Sequence, residues 1–233
     1  MHRPSSQNST IGAILLHMLL AAVSLFVNGF GVWLTIHASI GAGPWDVFNL
    51  GVSKTFGILY GTASIAVSAA ILIIDILMKE PIGIAMVIDA LVVGKTVDLF
   101  DHLNPVPVPG TWFGSIAMIF AGLVIMGYTQ CFYMRASLGC GPRDTLLVGL
   151  KKRSKRIPIG VVSILLLASV TLVGALLGGP VGIGTLICAF GTGPIMQAAF
   201  QTVHFDATQI HHQDFAESFD VLRSHQRTAA AQG

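Results

Sequence analysis

Two aspartates of this chain stand in the same setting. Asp46 closes Gly41-Ala42-Gly43-Pro44-Trp45-Asp46, and Asp144 closes Gly139-Cys140-Gly141-Pro142-Arg143-Asp144. Glycines let backbone approach closely and turn through conformations closed to other residues. Proline suits the first position of a helix, where its missing N–H costs nothing. An acid two residues later falls in the first turn, at the positive end of the helix dipole. The pattern predicts a loop entering a short helix whose N-terminus points into the protein. In membrane transporters such broken helices aim their N-termini at anionic groups, or use freed carbonyls for cations. The plainer alternative is a capped turn before an interfacial helix. Gly41, Gly43, Pro44, Asp46, Gly139, Gly141, Pro142 and Asp144 are the candidate substrate-binding residues.

Asp89 is a third acid of interest, because the residues around it are apolar. It follows Ile82, the start of its stretch, by about 10 Å of helix at roughly 1.5 Å per residue. A carboxylate at that depth costs about 2.5–3.5 kcal/mol on insertion scales, so it should face the interior or a partner. It is the candidate for proton coupling, against a structural hydrogen bond to a neighbouring helix. Lys95 and Asp98 read as a snorkelling lysine and a surface acid, or as an i,i+3 pair. Asp75 and Lys79 read as an interfacial pair, and His17 and His37 as structural residues.

Other chemistry finds little support. The sequence holds no HEXXH, CxxC, GxSxG or Walker A motif, so no enzyme and no cofactor is expected. Cys131, Cys140 and Cys188 suggest neither a disulfide framework nor a zinc site. The histidines of the tail, His204, His211, His212 and His225, lack the spacing of a helical metal site, and no metal is expected.

These residues are carried by a membrane protein. Hydrophobic residues make up 53% and charged residues 10%, against about 25% charged in soluble domains; the mean hydropathy is +0.76. Six spans are expected, at 11–36, 61–78, 82–100, 112–134, 158–178 and 182–203, each near the roughly 20 residues that cross a hydrocarbon core. The first is too long for a cleaved signal peptide and reads as a retained helix.

The sequence also repeats itself. Beyond the aspartate motif, Gly29 matches Gly127. With a one-residue slip, Gly61 and Ser64 match Gly160 and Ser163, and Pro81-Ile82-Gly83-Ile84 matches Pro180-Val181-Gly182-Ile183. A period of about 100 residues exceeds any solenoid unit and points to duplication of a half-protein. Three spans per half force opposite orientations. Lys151-Lys152-Arg153-Ser154-Lys155-Arg156 belongs in the cytoplasm by the positive-inside rule. Of the 13 Lys and Arg residues, all but Lys54 and Lys95 then fall inside, including Arg143, and both termini are cytoplasmic. A rival with eight crossings and parallel repeats fails because the stretch 145–150 is too short to span. The dense glycine and proline of 179–194 suggest close helix packing or an unwound stretch.

The expected architecture is therefore an all-α membrane protein with six transmembrane helices. They form a 3+3 inverted-topology repeat, with a short half-helix after the first span of each repeat. Its parts are a cytoplasmic N-terminus (1–10), a first repeat (11–103), an external connector (104–111), a second repeat (112–203) and a polar cytoplasmic tail (204–233).

The paired Gly-x-Gly-Pro-x-Asp and Pro-x-Gly-Ile motifs, with Gly-Pro-Val-Gly-Ile-Gly-Thr at 179–185, resemble the YczE/YitT-type family of bacterial integral membrane proteins. The likeness covers residues 11–203. It implies a bacterial inner (cell) membrane and a multi-pass helical fold, and little about activity; the His-containing tail is not part of the pattern. The function expected from the residues is a small secondary transporter or exporter of an unknown solute. The alternative is a non-transporting scaffold or regulator acting through the basic loop and tail. Expected partners are membrane lipid and an unknown small solute, with homo-oligomer formation open and no nucleic acid.

Overall fold

The computed structural model of the chain describes residues 11–80, 84–135, 141–154 and 156–203. Gly139, the Pro81–Gly83 segment and the tail 204–233 lie outside the described residues. Every regular element among the described residues is a helix: α1 (Ile11–His37), α2 (Pro44–Phe56), α3 (Tyr60–Leu77), α4 (Ile84–Leu103), α5 (Trp112–Arg135), α6 (Pro142–Arg153), α7 (Ile159–Leu176) and α8 (Ile183–Thr202).

Five of them are long and apolar enough to cross a membrane: Leu19–His37 of α1, α3, Trp112–Met134 of α5, α7 and α8. The helix α4 has 20 residues but carries Asp89, Lys95, Asp98 and Asp101, so composition alone does not make it a span. Helices α2 and α6, with 13 and 12 residues, are roughly 20 Å long at 1.5 Å per residue. That falls short of a hydrocarbon core of about 30 Å. The two short helices lie where the sequence predicts them.

Packing is built on close glycine crossings. Helices α1 and α5 meet where Gly31 faces the carbonyl of Gly122 and Gly122 faces that of Gly31. Gly61 and Gly94 bring α3 against α4, each backbone filling the space of the other's missing side chain, and α2 meets α7 where Gly51 faces the Gly174 carbonyl and Gly174 faces the Phe48 backbone. Small residues at such crossings let helices pack by van der Waals contact, which is the main attraction left where lipid is as apolar as the side chains. Helix α1 also packs on α4, α5 on α8, and α3 on α6.

The turns are fastened to the short helices. At the end of α6, Lys152 and Arg153 pair with the buried Glu80 of the α3–α4 turn, and Arg153 Nη2 donates to the Met78 carbonyl at 3.0 Å. At the end of α2, Thr55 Oγ1 donates to the Leu177 carbonyl at 3.1 Å and Lys54 Nζ to the Gly178 carbonyl at 3.5 Å. Both carbonyls belong to the α7–α8 turn.

Two expectations need correction. Asp98 is neither a surface acid nor a partner of Lys95. Its Oδ1 accepts the backbone N–H of Gly61 at 2.7 Å, so it satisfies an open donor in the first turn of α3. Asp75 does not pair with Lys79. It is fully buried, and among the described residues its carboxylate accepts no hydrogen bond. The helix stops short of Lys79, which takes φ 58° and leaves the i+4 position. The glycine-rich stretch follows the packing alternative: α8 is wound continuously through Pro194, Gly184 lies against Gly41 and Ile119, and Gly191 lies against Leu123.

Candidate functional site

The loop before α2 is shaped by its glycines. Gly41 takes φ +115°, and a Cβ there would meet Gly182 N and Thr185 Oγ1 at 2.8 Å. The loop therefore lies flat on the start of α8, where Gly184 N donates to the Ile40 carbonyl at 2.8 Å. From this anchor Gly43 enters α2 with φ −57° and ψ 153°. Gly141 enters α6 with φ −66° and ψ 158°, and in both helices proline follows. The two helix entries thus share one backbone conformation at Gly43 and Gly141, and both acids fall in a first helical turn.

The two helix starts converge on one cavity of about 330 Å³, bounded by residues of α1 and of every helix from α2 to α6, and by Thr192 and Met196 of α8. Asp46, Asp89 and Asp144 all line it, with Arg143 and the rings of Trp45, Tyr60 and Tyr133. Asp89 and Asp144 approach the same point: their Oδ2 atoms lie 3.5 and 3.7 Å from where a Cβ on Gly141 would stand. At Gly43 the corresponding point is 2.8 Å from Asp46 Oδ2 and 3.9 Å from Cys188 Cβ. A side chain at Gly43 would press on Asp46, whereas one at Gly141 would stand in van der Waals contact with Asp89 and Asp144.

The acids differ in how they are held. Asp46 is 6% exposed, and its Oδ1 accepts the Tyr60 hydroxyl at 2.7 Å. The Tyr60 oxygen in turn accepts Asn49 Nδ2 at 3.4 Å. Asp144 is open to the cavity and Asp89 half-buried. Arg143 lies over the Trp45 ring, with Cζ 5.3 Å from its centroid, a cation–π contact worth about 0.5–2 kcal/mol. These two residues occupy the same place in their motifs. Other lining groups are neutral: Asn28, which donates to Thr129 Oγ1 at 3.0 Å and so ties α1 to α5, and Ser64, Ser68 and Gln130.

The chain's relatives can be set beside this geometry. Residues 15–201 match a family model described as a family of unknown function, DUF6198. The chain belongs to this family. A Bacillus subtilis relative named uncharacterized membrane protein YczE is 30% identical over 74% of this chain and 80% of its own length. A Haemophilus influenzae protein, also uncharacterized, is 29% identical over 77% of this chain and 80% of its own. The YyaS protein of Bacillus subtilis is 27% identical over 71% and 83%. No solved structure matches the chain. The YczE-type resemblance read from the motifs is thus borne out, and family membership supports the membrane assignment that the five apolar helices give.

The cavity gathers every described member of the predicted set that bears a carboxylate, Asp46, Asp89 and Asp144. Gly43, Pro44, Gly141 and Pro142 shape the helix starts, and Gly41 anchors its loop on α8. Sequence reasoning missed Arg143, which it counted among cytoplasmic charges, and Tyr60. The signal available for Arg143 was its place between proline and aspartate, where the first motif has Trp45.

Proposed function

We propose that this chain is a small secondary transporter whose solute site is the cavity between the two short helices. One observation carries the reading: the two sequence-related motifs, far apart along the chain, start short helices at the same acid-lined cavity. A capped turn before an interfacial helix would not need to meet its counterpart inside the protein. Neither motif shows the features of an enzyme, and the reading assigns no catalysis and no cofactor.

The proposal includes six spans arranged as a 3+3 inverted repeat, in a bacterial inner membrane with both termini cytoplasmic. Helix pairing supports it. With α1 and α5 in contact at the centre, α1–α4 answers to α5–α8 and α2–α7 answers to α6–α3. Trp45 meets Arg143 across the middle, and Cys188 stands beside Gly43 where Asp89 stands beside Gly141. Lys54 and Lys152, at matching motif distances, each fasten the turn of the other half. Such halves, rocking about a fixed central site, are the common basis of alternating access. Asp89 is the proposed proton carrier, since an acid among spanning helices is by default a functional group.

The test is flux in proteoliposomes carrying a pH gradient and a pH-sensitive dye inside. Small amines, amino acids and organic acids would be added in turn. The expected result is a solute-dependent proton flux that Asp89→Asn abolishes while inserting normally. Flux unchanged in Asp89→Asn would remove Asp89 from coupling. Silence across the panel would favour a scaffold, although Lys152 and Arg153 of its supposed docking loop are already engaged with Glu80.

A further inference from the structure

We infer that the cavity takes a small organic cation, an amine or quaternary ammonium group, which competes with the neighbouring Arg143 for the three aspartates. This deepens the transport reading and rests on the same cavity. The first ground is charge. Three carboxylates line the space and one guanidinium answers them, and carboxylates kept from bulk water need a positive partner.

The second ground is an unmet acceptor. Asp46 is 6% exposed and lines the cavity, with Oδ1 held by Tyr60. Among the described residues no donor reaches its Oδ2, nor either oxygen of Asp89 or Asp144. A carboxylate oxygen that faces the cavity with no donor from the protein is free to accept one from a ligand bearing N–H groups, or to face its positive charge.

The third ground is where Arg143 lies. Among the described residues it has no acid within ion-pair distance, and it rests on the face of Trp45. Guanidinium is then a tethered cation at the edge of the acid cluster, on a platform that also suits an ammonium group.

Geometry decides what kind of cation. Among the described residues no three acid, histidine or cysteine side chains come close enough together to hold one metal ion. An organic cation of several carbon atoms spans such a gap, with its apolar part against Met126, Met134 and Met196. At about 330 Å³ the space is near the lower end of small-molecule sites, which run from roughly 300 Å³ upwards.

The experiment is binding to the full chain in detergent, separate from flux. Thermal midpoints would be measured against tetramethylammonium, butylammonium, glycine betaine and butyrate, with sodium chloride matching the ionic strength. The expected result is saturable stabilisation by one or both cations and none by butyrate. Arg143→Gln should lower the half-saturating concentration tenfold or more, since it removes the internal competitor, and Asp89→Asn should raise it tenfold or more. Stabilisation by butyrate that Arg143→Gln abolishes would overturn the inference and make Arg143 the binding group. So would cation responses unaltered in both variants, or no response to either cation. A cation that binds without crossing proteoliposomes would sink the transport reading alone; an organic acid that crosses would sink this one alone.

Discussion

Tyr60→Phe tests whether Asp46 is held in place by the phenol. The substitution keeps the ring, which packs with Val32, Trp33, Leu34 and Val97, and removes one oxygen. Asp46 Oδ1 loses a 2.7 Å donor, and Asn49 Nδ2 loses a long acceptor at 3.4 Å. Both Tyr60 and Asp46 are buried, at 8% and 6% exposure, so water does not replace the hydroxyl freely. A hydrogen bond to a charged group contributes about 1.5–3 kcal/mol, which sets the expected loss near 2 kcal/mol. For a chain of this size that lowers the thermal midpoint by about 4–8 °C, on the scaling of soluble domains. The decisive measurement is a cycle with Asp46→Ala, read as thermal midpoints in detergent. Once the carboxylate is gone, Tyr60→Phe should cost less than about 0.5 kcal/mol, because contacting groups couple and distant ones do not. Equal losses in both backgrounds would mean that the hydroxyl acts elsewhere, and that Asp46 is positioned by its helix alone.

Four further outcomes are expected. Asp46→Asn and Asp144→Asn should each lower flux tenfold or more while the protein still expresses and inserts; loss of expression in both would mark the acids as capping groups. Gly174→Leu should destabilise by about 1–3 kcal/mol as an overpacked crossing, because a Cβ there meets Phe48 backbone atoms at 2.6 Å. Gly193→Ala, with nothing within 4 Å of the added carbon, should stay within about 0.5 kcal/mol. In whole cells, an impermeant thiol reagent should reach a cysteine at Asn104 and not one at Ser154; labelling of both from one side would break the inverted topology.

What the sequence made legible was local. A glycine, a proline and an acid in fixed order specify a helix start, and both described starts have the expected backbone. Asp89 stood out because a carboxylate among apolar neighbours must face the interior, and it does line the cavity. What stayed hidden needed the third dimension. Arg143 follows a spanning helix, so charge counting assigned it to the cytoplasm; counting along the chain cannot see a short helix turned back into the protein. Asp98 looked like a surface acid because its partner, the Gly61 N–H, is 37 residues away. Asp75 and Lys79 have ideal spacing for a pair, which fails because the helix ends between them.

The two helix starts share a backbone but differ in how their acids are held, and that difference bears on mechanism. In the first, Tyr60 and Asn49 restrain Asp46. The matching positions of the second are Ile159 and Leu147, which can donate nothing, so Asp144 is left open to the cavity. Beside the two motif glycines the contrast repeats: a buried, apolar-packed Cys188 near Gly43, an acid near Gly141. In the proposed repeat, one half therefore supplies a fixed carboxylate and a flat aromatic face. The other supplies Asp144 and Arg143, which no hydrogen bond to a described side chain holds, while Asp89 comes beside Gly141 from α4. Two like halves with unlike restraints give one asymmetric site rather than two equal ones. A single bound cation would then draw on the unrestrained acids, Asp89 and Asp144, first, with Asp46 as the fixed point they close upon.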